Sequence, residues 1–252
     1  TRIQGEVARY APLTDRAVLA GRVRTGWVKA GAFGQLLSDR EGVEIVHPQK
    51  RFYAGGANSV RGYPQGRLGP RVLFTPLENL LGSDGVGCDP EAILDLSCDA
   101  SSLEDGAFQP RPTGGSRVLE GSLEARFPLS GSFQGAIFTD FGQVWGDRAP
   151  VSLETVRVTP GFGVRYLSPI GPLRVDLAYR TAGGERLSVV TNQVRPFVPD
   201  VDDVNDANCL GVDCAYLKTQ ALAILEPKVL FDDSSPGSLR RWQLHISIGQ
   251  AF

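Results

Sequence analysis

The stretch RVLEGSLEARF, residues 117–127, carries the pattern on which the fold of this chain depends. Successive side chains of an extended strand point to opposite sides, so every second residue shares a face. One face of this stretch is apolar or small and consists of Leu119, Gly121, Leu123, Ala125 and Phe127. The other face carries charges of both signs and consists of Val118, Glu120, Ser122, Glu124 and Arg126. The stretch therefore predicts a β-strand with one apolar and one polar face.

The same alternation recurs in six further segments, whose polar faces mix charges of both signs with glycine and alanine. These segments are 2–11, 18–28, 134–145, 156–167, 173–180 and 242–252, of which 2–11 and 134–145 fit the pattern less cleanly. A soluble β-sandwich also alternates in this way, with its apolar face turned towards the core. The alternation alone therefore predicts an all-β fold and leaves the environment of the apolar face open.

The connections between these segments alternate in length. Short connections and longer ones follow each other along the chain at 12–16, 30–115, 128–132, 146–155, 168–172 and 181–240. Short turns at one end and long loops at the other are typical of outer-membrane barrels. This favours a transmembrane antiparallel β-barrel with long extracellular loops at 30–115 and 181–240. Within the second loop, residues 214–227 are predicted to form a short helix that ends at Pro227.

The composition sets further limits on the class of protein. The net charge of −2 over 252 residues gives no reason to expect binding to nucleic-acid phosphates. No run of about 18 apolar residues occurs, which excludes membrane-spanning helices but not barrel strands of about ten residues. Seven strands do not close a barrel that requires about eight or more. We therefore expect residues 1–252, which contain no methionine, to be the C-terminal portion of a barrel in a longer precursor.

The four cysteines form two local pairs in polar, irregular stretches: Cys88 with Cys98, and Cys209 with Cys214. Paired cysteines in such stretches favour disulfides and an oxidising compartment. A zinc site is the first alternative, although neither pair has a C-x2-C spacing and both histidines are distant in sequence. Free thiols are the second alternative.

The segment RFYAGGANSVRGY, residues 51–63, is a glycine-rich loop with Arg61 near its tip. A guanidinium in an enclosed space of reduced dielectric requires carboxylate partners. Glu124 and Asp140 lie near the middle of adjacent predicted strands, on their polar faces. These residues suggest a loop that folds back so that Arg61 pairs with both acids, with Gly62 permitting close packing. The alternative is an exposed arginine, with the two acids lining water.

These residues resemble a known family. Residues 52–63, FYAGGANSVRGY, are similar to the F-x-G-G-x-x-x-V-R-G-F/Y signature of the BamA/TamA-type outer-membrane assembly factors, also called bacterial surface antigen barrels. FTDFGQVW at 138–145 and GFGVRYLSPIGPL at 161–173 resemble two further motifs of that family in the same order. Ser122-Leu123-Glu124 resembles the strand that precedes them. The resemblance is collinear and covers essentially the whole chain.

The resemblance implies the last seven or so strands of a 16-stranded barrel in the bacterial outer membrane, preceded by periplasmic POTRA domains. The loop 30–115 would carry its tip into the lumen, and 181–240 would be the last extracellular loop. The residues of the implied lumen lock are Val60, Arg61, Gly62, Tyr63, Glu124 and Asp140. A disulfide between Cys88 and Cys98 would make the chain BamA-like rather than TamA-like.

The function implied is the insertion and assembly of client β-barrel proteins through a lateral seam at the terminal strand, which contains Trp242, Gly249 and Phe252. The implied partners are outer-membrane lipid, unfolded client proteins, and periplasmic lipoproteins or other accessory subunits. Neither a cofactor nor a nucleic acid is implied. Two alternatives keep the barrel: a secretion pore that translocates a partner polypeptide, and an anchor for a surface or passenger protein.

Enzyme activity has little support in the sequence. Residues 140–142 spell DFG, but none of the other protein-kinase motifs accompanies them. With only His47 and His245 available and no nucleophile elbow, a Ser-His-Asp site is not indicated. We therefore predict a protein without catalytic residues and without a bound metal.

Overall fold

A computed structural model of the chain describes residues 1–30, 46–81, 87–147, 149–169, 171–181, 183–210, 214–231 and 241–249. The described strands are β1 (Arg2–Thr14), β2 (Ala17–Val28), β3 (Arg71–Phe74), β4 (Gln109–Pro112), β5 (Arg117–Pro128), β6 (Phe133–Trp145), β7 (Arg157–Ser168), β8 (Gly171–Tyr179), β9 (Glu185–Pro196), β10 (Cys209–Leu210), β11 (Tyr216–Phe231) and β12 (Trp242–Ile248). The α-helices are α1 (Leu77–Leu81) and α2 (Pro90–Leu94), and short 3-10 helices cover Pro48–Lys50, Ala100–Ser102, Asp105–Ala107 and Leu153–Thr155. No helix in these ranges has the length and apolar character needed to span a membrane.

The chain divides into two compact units. The first unit comprises Thr1–Arg71, Pro112–Gly183 and Ser234–Phe252. It contains a seven-stranded sheet in the order β1-β2-β5-β6-β7-β8-β12, in which every neighbouring pair is antiparallel. These are the seven strands that the alternating pattern predicts. The predicted last strand extends to residue 252, whereas β12 ends at Ile248 and residues 250–252 lie outside the described residues.

In this sheet the polar face is buried and the apolar face is exposed, which is the reverse of a soluble sandwich. The apolar side chains of Leu123, Val164 and Ile246 are 53%, 42% and 75% exposed. Glu124 and Asp140, on the other face, are completely buried. A soluble sandwich turns its apolar face inwards, so that alternative is wrong. An apolar outer face over charged inner residues is the arrangement of a membrane β-barrel protein.

Part of the long loop packs on the charged face within the first unit. Residues 46–69 of this loop are tied to neighbouring backbone by bridges between Phe52 and Gly115 and between Ala54 and Leu68. They contribute to a small buried apolar cluster that consists of Val28, Val46, Phe52, Ala54, Val60, Tyr63, Leu68, Val118 and Val144. The loop therefore has its own apolar anchor beside the charged residues.

The second unit comprises Val72–Arg111 and Gly184–Asp233, which belong to the two long predicted loops. Its five-stranded sheet has the order β10-β11-β9-β3-β4, with β3 parallel to β9. Its core contains residues from both segments, among them Leu73, Leu77, Ile93, Val189 and Leu225. Sequence reasoning describes these segments only as loops and misses this sheet.

The helix predicted at 214–227 is wrong, because residues 216–227 of this segment lie in β11, which pairs antiparallel with β9. Leu222 and Ile224 are exposed on one side of β11, while Ala223 and Leu225 are buried on the other. A strand that is apolar on both sides lacks the alternation that predicts strands. The consecutive apolar residues therefore suggested a helix.

Both predicted disulfides are present in the second unit. The Cα–Cα distances are 5.6 Å for Cys88–Cys98 and 5.0 Å for Cys209–Cys214. The zinc and free-thiol alternatives are therefore wrong for these four residues.

Candidate functional site: an arginine buried in the charged face of the sheet

The tip of the loop is a compact turn that hydrogen-bonds to itself. Gly55 and Gly56 adopt φ angles of +100° and +109°, which side chains other than hydrogen rarely tolerate. The backbone N–H of Gly56 donates to the carbonyl of Tyr63 at 2.9 Å, and that of Gly55 donates to the Ser59 hydroxyl at 2.9 Å. These hydrogen bonds close the turn that carries Arg61 and hold its backbone in place.

Arg61 and Asp140 make a two-point contact. The Nε of Arg61 donates to Oδ2 of Asp140 at 2.7 Å and its Nη2 donates to Oδ1 at 2.8 Å. The backbone N–H of Arg61 also donates to Oδ2 at 3.0 Å. Side-on pairing of a planar guanidinium with a carboxylate is the strongest geometry available to these two groups. The two-point contact fixes the orientation of the Arg61 side chain and neutralises its charge.

Glu124 is the second carboxylate, and its Oε2 accepts from Nη1 of Arg61 at 2.8 Å. Its other oxygen accepts from Nη2 of Arg165 at 2.8 Å and from Nε of Arg126 at 2.5 Å. The structure therefore places Arg61 against both acids named from the sequence, and it connects Glu124 to two further arginines. Together these groups form a network of charges in which each buried carboxylate has at least one cationic partner.

Three partners of Arg61 were not predicted. Asp176 accepts from Nη1 at 3.2 Å, Ser122 accepts from Nη2 at 3.1 Å, and the Phe138 ring centroid lies 3.3 Å from Cζ. Asp176 is on the polar face of segment 173–180, so the alternating pattern contained the signal. It was missed because β8 is two strands away from β6 in the sheet, and only the folded loop brings Arg61 within reach.

The charge on Arg61 is stabilised by its surroundings. The side chain is 1% exposed, and burial alone lowers the pKa of a guanidinium. The hydrogen bond and charge of Asp140, with the charges of Glu124 and Asp176, outweigh burial and raise the pKa of Arg61 above its ordinary value. Arg61 is therefore cationic at neutral pH.

The neighbours of Arg61 in the loop pack closely on the strands. A Cβ on Gly62 would collide with the side chain of Thr159. Val60 is fully buried, and its side chain lies against Gly142, where a Cβ would come within 2.8 Å of it. Tyr63 is buried as well, with Arg180 Cζ 5.4 Å from its ring centroid. The four residues Val60–Tyr63 thus lie together on the charged face.

A second ionic contact ties the loop to β2 and β5. The Ser59 hydroxyl donates to Oε2 of Glu120 at 2.6 Å, while Arg22 and Arg24 pair with Glu120 at 3.2 and 2.9 Å. Arg22 also donates to the carbonyl of Asn58 at 2.8 Å. The alternating pattern predicted Arg22, Arg24 and Glu120 on polar strand faces but assigned them no partner.

The terminal strand touches the same loop tip. The Nε2 of His245 lies 2.9 Å from the carbonyl oxygen of Arg61. Trp242, on the outer face, packs against the rings of Tyr179 and Phe162 with centroid distances of 5.1 and 6.2 Å. Gly249 follows the last residue of β12 and has a φ of +97°. Phe252 lies outside the described residues.

Among the described residues, the site consists of paired charges and hydrogen-bonding groups. Its carboxylates are engaged by arginines, and no cluster of three or more His, Cys, Asp or Glu side chains suited to a metal occurs among the residues the structure describes. The arrangement holds the loop against β5, β6 and β8 through buried charge pairs between Arg61 and three carboxylates. The buried charged face and the exposed apolar face place the chain in the class of outer-membrane β-barrel proteins.

Residues 1–193 match the model of the Omp85 superfamily domain, and the chain belongs to this superfamily. It is therefore related to outer-membrane protein insertion and translocation factors. The chain is 28% identical over 170 residues to outer envelope protein 80, chloroplastic, of Arabidopsis thaliana, a match that covers 64% of this chain and 17% of that protein. The crystal structure of BamA from Haemophilus ducreyi lacking POTRA domains 1–3 is similar with a TM-score of 0.47 and 20% identity, covering 71% of this chain and 31% of that one. The chain thus spans well under half the length of both.

Proposed function

We propose that this chain is the C-terminal portion of the barrel of an outer-membrane protein insertion factor. In this proposal, client β-barrel proteins fold and insert through a lateral seam beside β12, while the loop tip Val60–Tyr63 occupies the lumen. We call Val60–Tyr63 with Glu124 and Asp140 the lumen lock. Its role is structural, and no cofactor or catalytic residue takes part.

The observation that carries the proposal is the position of Arg61. A loop arginine lies at 1% exposure among carboxylates from three strands of a sheet whose other face is apolar and exposed. Removing several charges from water costs free energy. A loop that is held in place at this cost supports a role that depends on its fixed position. An anchor for a passenger domain has no evident use for it.

The terminal ladder supports a seam at β12. The described ladder runs from Trp242↔Tyr179 to Ile248↔Leu173, and β12 lies at one end of the sheet with β8 as its partner among the described strands. Among the described residues, the strand ends at Ile248, before Gly249. A strand edge at the end of a sheet can accept an extended client segment by β-augmentation. The clients are unfolded outer-membrane proteins, with lipid and periplasmic accessory subunits as further partners.

The test uses the full-length protein reconstituted in liposomes with an urea-unfolded outer-membrane client. Insertion predicts faster appearance of the folded, heat-modifiable client band than in empty liposomes. The Arg61→Ala variant is expected to lose most of that acceleration. Passage of an unfolded polypeptide into the liposome interior without client folding would instead indicate a secretion pore, and neither activity would leave the anchor alternative.

A further inference from the structure

The contacts between the loop tip and the last strand have a consequence for the seam. β12 lies at one end of the seven-stranded sheet and pairs with β8 alone among the described strands. Its inner-face residues His245 and Ser247 both face the loop side of the sheet. They are linked to the loop by two separate routes.

The first route is a direct hydrogen bond. The Nε2 of His245 lies 2.9 Å from the carbonyl oxygen of Arg61. A carbonyl can only accept, so the imidazole donates its Nε2–H to it. This carbonyl belongs to the residue whose side chain is held by Asp140, Glu124 and Asp176. The acceptor is therefore fixed in space by β5, β6 and β8.

The second route passes through Arg174 of β8, whose side chain is completely buried. Its Nε and Nη2 donate to the Ser247 hydroxyl oxygen at 3.0 and 2.7 Å. The same Nη2 donates to Oδ1 of Asn58 at 2.7 Å and to the carbonyl of Ala57 at 3.2 Å. One guanidinium thus bridges the terminal strand and the loop turn.

We propose that the loop tip positions the terminal strand: His245, together with the Ser247–Arg174–Asn58 bridge, fastens β12 to the loop, so that release of the tip from β6 loosens β12. The biological meaning of this coupling rests on the proposed seam role of β12. His245 and Arg174 are positioning residues, because they act through the strand they hold and react with nothing.

Hydrogen exchange measured by mass spectrometry on the folded full-length protein in detergent micelles tests the coupling. His245→Leu is expected to accelerate exchange of the β12 amides about fivefold, as loss of one buried hydrogen bond predicts. His245→Gln retains an N–H donor at nearly the same distance and is expected to restore slow exchange. Gln243→Leu is the matched control, because Gln243 shares the face and strand of His245 and its described hydrogen bond is to its neighbour Leu244.

A second variant separates positioning by the loop tip from a merely local bond. Asp140→Asn weakens the hold of β6 on Arg61. No described hydrogen bond or ion pair joins Asp140 to β12, although its negative charge interacts with His245. We expect faster β12 exchange in this variant, and little further change when His245→Leu is added, because the two changes interrupt one connection. If His245→Leu fails to fold, Ser247→Ala interrupts the second route instead.

Unchanged β12 exchange in Asp140→Asn would overturn the inference, as would an equal acceleration in Gln243→Leu. The exchange measurement requires no client protein. Coupling without client insertion by the wild-type protein would therefore refute the proposed function alone, and client insertion without coupling would refute this inference alone.

Discussion

Arg61 and Asp140 are separated by 79 residues in sequence, yet their guanidinium and carboxylate groups meet side-on through bonds of 2.7 and 2.8 Å. Asp140 is completely buried. Pairing of this kind fixes a loop against a strand, because separating the two groups would leave each charge buried without a partner. The relationship makes the loop tip a part of the sheet's charged face.

Breaking this pair is predicted to destabilise the barrel strongly. Arg61→Ala leaves Asp140, Glu124 and Asp176 without their shared cation, and removal of one partner of a buried pair costs about 3–5 kcal/mol. The measurement is the temperature at which the folded, fast-migrating band of the full-length protein is lost on a gel. A charge reversal, Asp140→Lys, should lower this temperature as well.

Lys50→Ala is the matched control for the loop arginine, because Lys50 lies in the same loop and is exposed. It should leave the transition temperature unchanged. Equal transition temperatures and equal activity for wild type, Arg61→Ala and Asp140→Lys would show that the lumen lock has no structural role.

Gly62→Ala is predicted to displace the loop tip. A Cβ at this position collides with the Thr159 side chain on β7, and overpacking of a close-packed site costs about 1–3 kcal/mol. Protease susceptibility of the loop in the folded protein should increase. Gly106→Ala provides the comparison, because a Cβ there meets nothing within 4 Å; similar proteolysis of both variants would argue against close packing at Gly62.

The apolar face is predicted to require lipid contact. Leu123 is 53% exposed near the middle of β5, where an arginine on a lipid-facing site costs about 2–4 kcal/mol. Leu123→Arg should therefore reduce the yield of folded protein in liposomes. Leu153→Arg, at a 74% exposed position between β6 and β7, should fold as wild type. Normal folding of Leu123→Arg would place this face in water.

The second unit is predicted to loosen in acid through one ion pair. Arg195 donates to both carboxylate oxygens of Asp202 at 2.6 and 2.5 Å, and this hydrogen bonding lowers the pKa of Asp202 from 3.8 to about 2. Because the folded pKa is depressed, the stabilisation is fully present above about pH 4 and is lost as the pH falls through about 2.

Hydrogen exchange of the segment 196–204, followed between those two pH values and corrected for intrinsic rates, measures this effect. Asp202→Asn should remove the added protection at the higher pH and flatten the profile. A wild-type profile as flat as that of Asp202→Asn would mean that the pair contributes nothing.

Much of the sheet and part of the site follow from local sequence. The alternation in 117–127 and its six counterparts predicts the seven strands, because side-chain direction in an extended chain depends on residue parity alone. The glycine-rich loop and the polar faces together also suggested that Arg61 meets Glu124 and Asp140. The strand predictions required no knowledge of which distant strands are neighbours, whereas the pairing of Arg61 with the two acids was favoured only with the family resemblance.

The sequence by itself thus determined which residues form the seven-stranded sheet, which face of each of its strands is charged, and which cysteines pair over short separations. Only the tertiary structure decided that residues 214–227 join a strand beside β9, and that Asp176 and His245 meet the loop tip. Those outcomes depend on contacts between residues far apart in the chain. Their free energy comes from shared burial and paired charge, which no short window of sequence contains.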